Sequence, residues 1–578
     1  MIALAVVAFA IGAIVGANHT SSTAHALAAR FVAAWTQRNY AAMYGDLDST
    51  SQRRIPAGEF ASAYRAALTT ATATHLKVVG KPRDLSGGLV SVPVRVRTRL
   101  FGTLSLGFEL KIVETGGEGA RVAWSRSSTF PGLRSGELLS RHTELPRRAT
   151  LLARDGSVLA EGAATSAGER ASPLGDAASA VLGDVGPVPT SQRLTLEAEG
   201  APADAIVGVS GMEQALDDRL RGRAGGELSA GRRLLASAAP VAAPAVHSTI
   251  SPAVQRAAVS ALGGQLGGIV AMQPSTGQLL AVAGLGLDSL QPPGSTFKMI
   301  TVSGVLQARL AAPRSSYRYN TYATLDGVKL SNANGEECGG TLELAFAVSC
   351  NSVFAPLGVK LGATRLVAIA EGYGFNHEPG IPGAAESTLP AAPQIRGELD
   401  LGSTAIGQGQ VLASALEMVT VAATIGEGGR RPRPTFAFEA PSGPGPVVTS
   451  AAVARTVRKL MIAVVREGTG TSAAIPGVTV AGKTGTAELK TATTCSGASE
   501  EASAQEGGAG EDPESSSSEA CKSAASEASN TDAWFAAFAP ALHPRIAVAV
   551  LLVKDGAGGA TAAPVARQVL EAGLQASR

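Results

Sequence analysis

Apolar positions change their period several times along this chain, and each change marks a new element. Between Ser21 and about Leu68, Leu27, Phe31 and Trp35 recur every four residues, and Met43, Tyr44 and Leu47, then Phe60 and Tyr64, continue the pattern. A period near 3.6 predicts amphipathic helices. From Val90 the period drops to two: Val90, Val92, Val94, Val96 and Leu100 alternate with polar residues, as do Leu104, Leu106, Phe108, Leu110 and Ile112, with Val122 and Trp124 beyond a glycine-rich turn. Helices followed by a curved antiparallel sheet predict a small α+β domain over residues 21–128.

In "LPRRATLLARDGSVLAEG", Arg154-Asp155-Gly156 reads as a tight turn between two short strands. The following Ala/Gly/Ser/Pro-rich stretch holds one helical signal, "GMEQALDDRLRG", so residues 129–245 are expected to form a small mixed linker domain. Beyond residue 246 the apolar signal strengthens. Gly268–Met272 and Gln278–Ala283 predict a hairpin, "VTVAGKTGTAE", "DAWFAAFAP" and "RIAVAVLLV" predict three further strands, and Ala562–Leu574 a closing helix. Between the first two of those strands lies Thr491–Asn530, loaded with Ser, Gly and Glu; it cannot bury enough apolar surface to order itself and is expected to be a disordered acidic insert.

At 578 residues the chain is too long for one core, so an α+β multidomain protein is expected. Charged residues make up 17% with a net charge of +2, which argues against nucleic acid as a partner. Residues 1–20 open with an uncharged apolar run, Ile2–Ala17, and Ala24-His25-Ala26 resembles a cleavage site. An uncleaved membrane anchor is the preferred reading over a removed signal, and either sends the rest of the chain out of the cytoplasm. Four cysteines allow three connectivities in an oxidising compartment; sequence proximity suggests Cys338 with Cys350 and Cys495 with Cys521. No Cys/His cluster has metal-ligand spacing, so neither a metal nor a cofactor is expected.

The candidate chemistry lies in "QPPGSTFKMITVSG". Of eleven lysines only Lys298 has a serine three positions earlier, Ser295. If Met299, Val302 and Leu306 mark a buried stripe, the two share one face near a helix N-terminus. Two other segments carry matching groups: Ser349-x-Asn351 in "AVSCNSVFAPLG" and Lys483-Thr484-Gly485-Thr486 in "AGKTGTAE". The order Ser-x-x-Lys, Ser-x-Asn, Lys-Thr-Gly is the signature of serine enzymes that acylate on penicillin and D-alanyl-D-alanine peptides. Taken singly, Ser295 reads as a helix cap, Ser349-x-Asn351 as a turn and Lys483 as an edge-strand lysine; three ordered motifs favour chemistry. Lys298 can deprotonate Ser295 only as a neutral amine, and burial together with the second cation Lys483 would push its pKa down. Ser349 can relay a proton to the leaving amine, and Asn351 can orient Lys298 and the substrate. Gly485 would let an edge strand approach the substrate, Thr484 and Thr486 could bind a terminal carboxylate, and the N–H groups of Ser295 and Thr486 would form an oxyanion hole.

From about Val246 to Arg578, "PPGSTFKMIT", "GGTLELAFAVSCNSVFAPLG", "AIGQGQVLASALEMVTVAATIGEGG" and "AGKTGTAE…AWFAAFAP" resemble the transpeptidase domain of class B penicillin-binding proteins. "RRATLLARDGSVLAEG" and "GVSGMEQALDDRLRGRAGG" are similar to that family's dimerisation or linker region, and residues 21–128 resemble, by layout, the cone-shaped N-terminal domain of its methicillin-resistance-type members. The resemblance implies a five-stranded antiparallel sheet flanked by helices, with an all-helical subdomain, over residues 246–578. It implies a D,D-transpeptidase that cross-links peptidoglycan stem peptides through a Ser295 acyl-enzyme and is inhibited by β-lactams. With the N-terminal apolar run as anchor, a single-pass protein of the cell membrane with its catalytic domain extracytoplasmic is expected, and division or elongation proteins are candidate partners. No glycosyltransferase segment is visible, so glycan polymerisation is not expected. Two alternatives stay open. One is a D,D-carboxypeptidase or β-lactamase-type hydrolase, with Glu386 of "AAESTLPAAP" activating water although Pro390 departs from the lactamase pattern. The other is a non-catalytic penicillin-binding sensor or cell-wall scaffold.

Overall fold

The computed structural model describes residues 22–115, 119–438, 445–488 and 531–576. The expected anchor at residues 1–20, the acidic insert 491–530 and the Cys495–Cys521 pair fall outside them. Among the described residues no single helix is long and apolar enough to cross a membrane.

Two compact units emerge. The first runs to Ala149 and adds Gly186–Val209 and Asp218–Pro244. Its helices span 22–36, Tyr40–Gly45, Ser49–Arg54 and Ala57–Thr70, where the four-residue spacing predicts them. Long strands Leu89–Thr98 and Thr103–Thr115 pair antiparallel, with Val90 opposite Leu110, Val92 opposite Phe108 and Val96 opposite Leu104. This register puts every alternating valine on one face, against Phe31, Trp35 and Phe60 of the helices in a single cluster. Ala73–Val78, Arg83–Leu85 and Gly119–Ala123 complete a five-stranded sheet; the first two lack a clear alternation, and the period alone does not reveal them.

The second unit comprises Thr150–Val185, Ser210–Asp217 and Ala245–Arg578. The stretch 129–245, expected as one domain, therefore contributes to both units. Leu151–Leu152 and Val158–Ala164 pair around Gly156, whose φ of +84° suits the turn. "GMEQALDDRL" forms two short helices, Gly211–Ala215 and Asp217–Leu220. Arg170 and Glu213, both almost fully buried, pair at 2.9 Å.

The larger part of this unit runs α1 (Pro252–Leu262), β1 (Gly267–Gln273), β2 (Gln278–Gly284), α2 (Lys298–Gln307), α3 (Leu342–Ala347), α4 (Asn351–Leu361), α5 (Ala415–Gly426), β3 (Ala481–Glu488), β4 (Thr531–Ala539), β5 (Ile546–Leu552) and α6 (Ala562–Ala576). The strands form one antiparallel sheet in the order β2-β1-β5-β4-β3. Helices α1 and α6 share a core with one face, through Val254, Ala258, Val569 and Leu570 on Ile269, Val548 and Val550. Helix α5 packs on the sheet through β1, β4 and β5. With both faces covered, β5 is buried at all seven positions, which explains why its sequence is a continuous apolar run. β3 is left at the sheet's end with one paired side.

Candidate active site

The nucleophile segment begins with Pro293, after which Gly294–Phe297 forms a 3-10 turn that leads directly into α2. The turn needs room at two glycines. Gly294 has φ +50°, and a Cβ there would lie 2.7 Å from Thr486 O on β3. Gly407 has φ +76°; a Cβ there would lie 2.1 Å from Gly294 O, and its own carbonyl accepts from Gly294 N at 2.9 Å. The glycine of "AIGQGQ" thus supports the turn that carries Ser295. Met299 and Val302 are buried, but burial is not confined to their stripe. Every residue from Lys298 to Val305 is buried and Leu306 is half-buried, because α2 packs against helices on several sides. The consequence is chemical: Lys298, one turn beyond Ser295, has its amine entirely out of water.

Lys298 Nζ lies 2.7 Å from Ser349 O, 3.2 Å from Ser349 Oγ and 2.7 Å from Asn351 Oδ1. Lys483, equally buried on β3, donates to Ser349 Oγ at 2.9 Å and to Thr484 O at 3.0 Å. The Ser349 hydroxyl therefore bridges two lysines that are 185 positions apart in the sequence. Ser349 adopts φ +63°, a left-handed conformation costing a non-glycine residue about 1–2 kcal/mol. Flanking structure holds it there: Thr341 caps α3, Asn351 opens α4, and Cys350 is bonded to Cys338, as sequence proximity suggested. Asn351 Nδ2 donates to Ser331 O at 2.9 Å, so its amide has only one orientation that also presents Oδ1 to Lys298.

Burial and the neighbouring Lys483 hold the Lys298 amine well below the usual lysine range; burial alone lowers Lys483 to about 7. Two ammonium groups sharing one hydroxyl in a dry pocket repel, so the arrangement favours a neutral amine at Lys298. The aromatic faces of Phe354 and Phe346 lie 5.7 Å from Lys298 Nζ and 5.6 Å from Lys483 Nζ and soften the residual charge.

The structure brings Lys298, Ser349, Asn351 and Lys483 into direct contact, with Ser295 one turn from Lys298 and beside β3. It treats the Lys-Thr-Gly strand differently from the sequence expectation. The space made by Gly485 is filled from within: a Cβ there would lie 2.7 Å from Pro293 O, 2.9 Å from Trp534 Cβ and 3.0 Å from Thr296 Cγ2. Its absence lets β3 lie against the nucleophile turn. Thr484 is buried with its hydroxyl 2.6 Å from Thr469 Oγ1, whereas Thr486 is partly exposed and accepts from Gly558 N at 3.4 Å. Sequence reasoning did not single out Thr469, Gly558 or Gly407; only the last stood in a quoted motif. Glu386 is exposed, and among the described residues it makes no hydrogen bond to any of these groups.

Comparison with known proteins agrees with this geometry. The profile of the penicillin binding protein transpeptidase domain matches residues 267–505, that of the penicillin-binding protein dimerisation domain residues 163–232, and that of the NTF2-like N-terminal transpeptidase domain residues 23–137. The chain is 32% identical over 400 residues to the peptidoglycan D,D-transpeptidase PbpA of Mycolicibacterium smegmatis and 31% identical to that of Mycobacterium tuberculosis, covering 57% of this chain and 72% of each relative. Among solved structures it is similar to penicillin-binding protein A from M. tuberculosis in its imipenem acyl-enzyme complex (26% identity, TM-score 0.56, 74% of this chain and 99% of that one). It is also similar to the D,D-transpeptidase domain of a peptidoglycan glycosyltransferase from Eggerthella lenta (29%, TM-score 0.55, 74% and 98%). A lysine pair bridged by one serine, reached through three dispersed motifs and carried on this succession of domains, has one explanation: the chain belongs to the class B penicillin-binding proteins.

Proposed function

We infer that this protein is a serine-type peptidoglycan D,D-transpeptidase, open to acylation by β-lactams, and the observation that carries the reading is the Lys298–Ser349–Lys483 cluster one helical turn from Ser295. Neutral Lys298 accepts the Ser295 proton as Oγ attacks the penultimate D-alanine carbonyl. The carbon–nitrogen bond then breaks, and Ser349, fed by the lysines, delivers a proton to the departing D-alanine amine. In the second half-reaction an amine of a neighbouring stem peptide attacks the acyl carbonyl, and Ser295 leaves as the alcohol. Asn351 keeps Lys298 oriented. Backbone N–H groups of Ser295 and Thr486 stabilise the oxyanion, where one donor is worth about 3 kcal/mol; the close approach of Gly294 to Thr486 supports that role. The donor peptide lies along the unpaired side of β3, and the partly exposed Thr486 meets its carboxylate more readily than Thr484, whose hydroxyl is already engaged.

Residues 1–20 act in this reading as a membrane anchor that leaves the catalytic unit outside the cytoplasm; the apolar run Ile2–Ala17 supports it. The first unit, which carries none of the catalytic motifs, is the candidate for contacts with division or elongation proteins. Incubation with a fluorescent penicillin tests the central claim: the wild type becomes labelled and Ser295→Ala does not, whereas an unlabelled wild type refutes it.

A further inference from the structure

A two-stranded hairpin, Tyr322–Leu325 with Val328–Ser331, extends from the catalytic cluster. Its register sets Tyr322 opposite Ser331 and Thr324 opposite Lys329, and these four exposed residues share one face while Ala323 and Leu325 are buried on the other. The hairpin is tied to the site at a defined point. Ser331 O accepts from Asn351 Nδ2, and the buried Asn332 donates to Asn320 O and Glu336 O and accepts from Ser352 N at 2.7–2.8 Å. Tyr322 therefore stands one strand across from the residue that holds Asn351, which holds Lys298. Lys329 Nζ lies 4.5 Å above the Tyr322 ring and has no carboxylate partner among the described residues.

We propose that the Tyr322–Lys329 face of this hairpin is the docking wall for the acceptor stem peptide, with Tyr322 contacting its side chains and Lys329 a stem carboxylate; this rests on the transpeptidase reading. The argument for the acceptor rather than the donor comes from the reaction. The incoming amine retraces the path of the departing D-alanine amine: its N–C bond forms as the C–Oγ bond to Ser295 breaks, its proton passes to Ser349 and Lys298, and a proton returns to Ser295. With the donor along β3, the body of the acceptor must extend from the opposite, Ser349–Asn351 side. The surface tied to that side, through Ser331 O and Asn351 Nδ2, is this hairpin, which offers a peptide rich in carboxylates an aromatic plane and a cation that has no carboxylate partner among the described residues.

The test uses the full-length protein with a thioester analogue of the donor and, as acceptors, synthetic stem peptides with a free lysine or diaminopimelate side-chain amine. Expected for Tyr322→Ala and Lys329→Glu is a rise of about tenfold in KM for the acceptor, with kcat and the rate of penicillin acylation within about twofold of wild type. Tyr322→Phe should retain the wild-type KM. Stoichiometric penicillin labelling verifies that each variant is folded, and Lys329→Glu, a surface change, carries the test if Tyr322→Ala does not fold. An unchanged acceptor KM in Lys329→Glu, or acylation falling as far as aminolysis, overturns the proposal. A wild type that no penicillin labels overturns the transpeptidase reading first, and this inference with it.

Discussion

Replacing Lys483 by Met asks whether the buried amine is held neutral by its surroundings. Lys483 is fully buried and burial brings it from 10.5 to about 7. At pH above 10.5 both folded and unfolded chains carry it uncharged. As pH falls from there, the unfolded chain takes up a proton that the folded chain refuses, so stability is lost at about 1.4 kcal/mol per pH unit, and about 5 kcal/mol has gone by pH 7. Below about 7 both states are protonated and the loss stops growing. Methionine has a similar shape and no titration. The stability difference between wild type and Lys483→Met should therefore change by about 3 kcal/mol between pH 7 and 9.5, the wild type gaining relative to the variant as pH rises. At pH 7 the variant should be the more stable, by that charging penalty less about 1–2 kcal/mol for each lost hydrogen bond, to Ser349 Oγ and Thr484 O. Urea unfolding followed by the fluorescence of Trp534, in backgrounds with Trp35→Phe and Trp124→Phe, reports on β4, the neighbour of β3. A difference that stays flat with pH would refute the claim that Lys483 titrates far below a free lysine.

Penicillin acylation should follow the same chemistry: because the base must be neutral, its rate should decline toward acid as Lys298 takes up a proton, with a midpoint well below that of a free lysine; a midpoint near 10.5 in stopped-flow acylation would contradict it. Gly485→Ala forces a Cβ within 2.7 Å of Pro293 O, so it should destabilise the protein by about 1–3 kcal/mol and slow acylation by pushing β3 off the nucleophile turn, both measurable on one preparation. Arg170→Met removes the guanidinium that pairs with the buried Glu213 carboxylate and should cost about 3–5 kcal/mol in urea melts, most of it recovered by adding Glu213→Leu.

Particular residues show how far the sequence reaches. The Ser295–Lys298 relation is local, since three residues span one helical turn whatever surrounds it. The alternation of Val90, Val92, Val94 and Val96 likewise predicts its own strand and face, because a half-buried strand has period two. β5 reads as a strand for the opposite reason, a continuous apolar run covered on both sides. The order of the three motifs supplied the reaction class. By contrast, short pieces without periodicity, such as Ala73–Val78 and Arg83–Leu85, and the division of residues 129–245 between two units depend on partners distant in the chain.

What the sequence by itself determined is the inventory: a serine and lysine on one helical turn, a second serine with its asparagine, and a lysine–threonine–glycine strand, all on a chain of helix- and sheet-forming segments. What only the tertiary structure decided is the state of those groups. Whether Lys298 is charged depends on how completely α2 is enclosed and on Lys483 arriving from 185 positions away to share the Ser349 hydroxyl. Whether Gly485 faces a ligand or the Pro293–Thr296 turn depends on what folding brings against it. Both are matters of desolvation and excluded volume, which exist only once distant segments have packed.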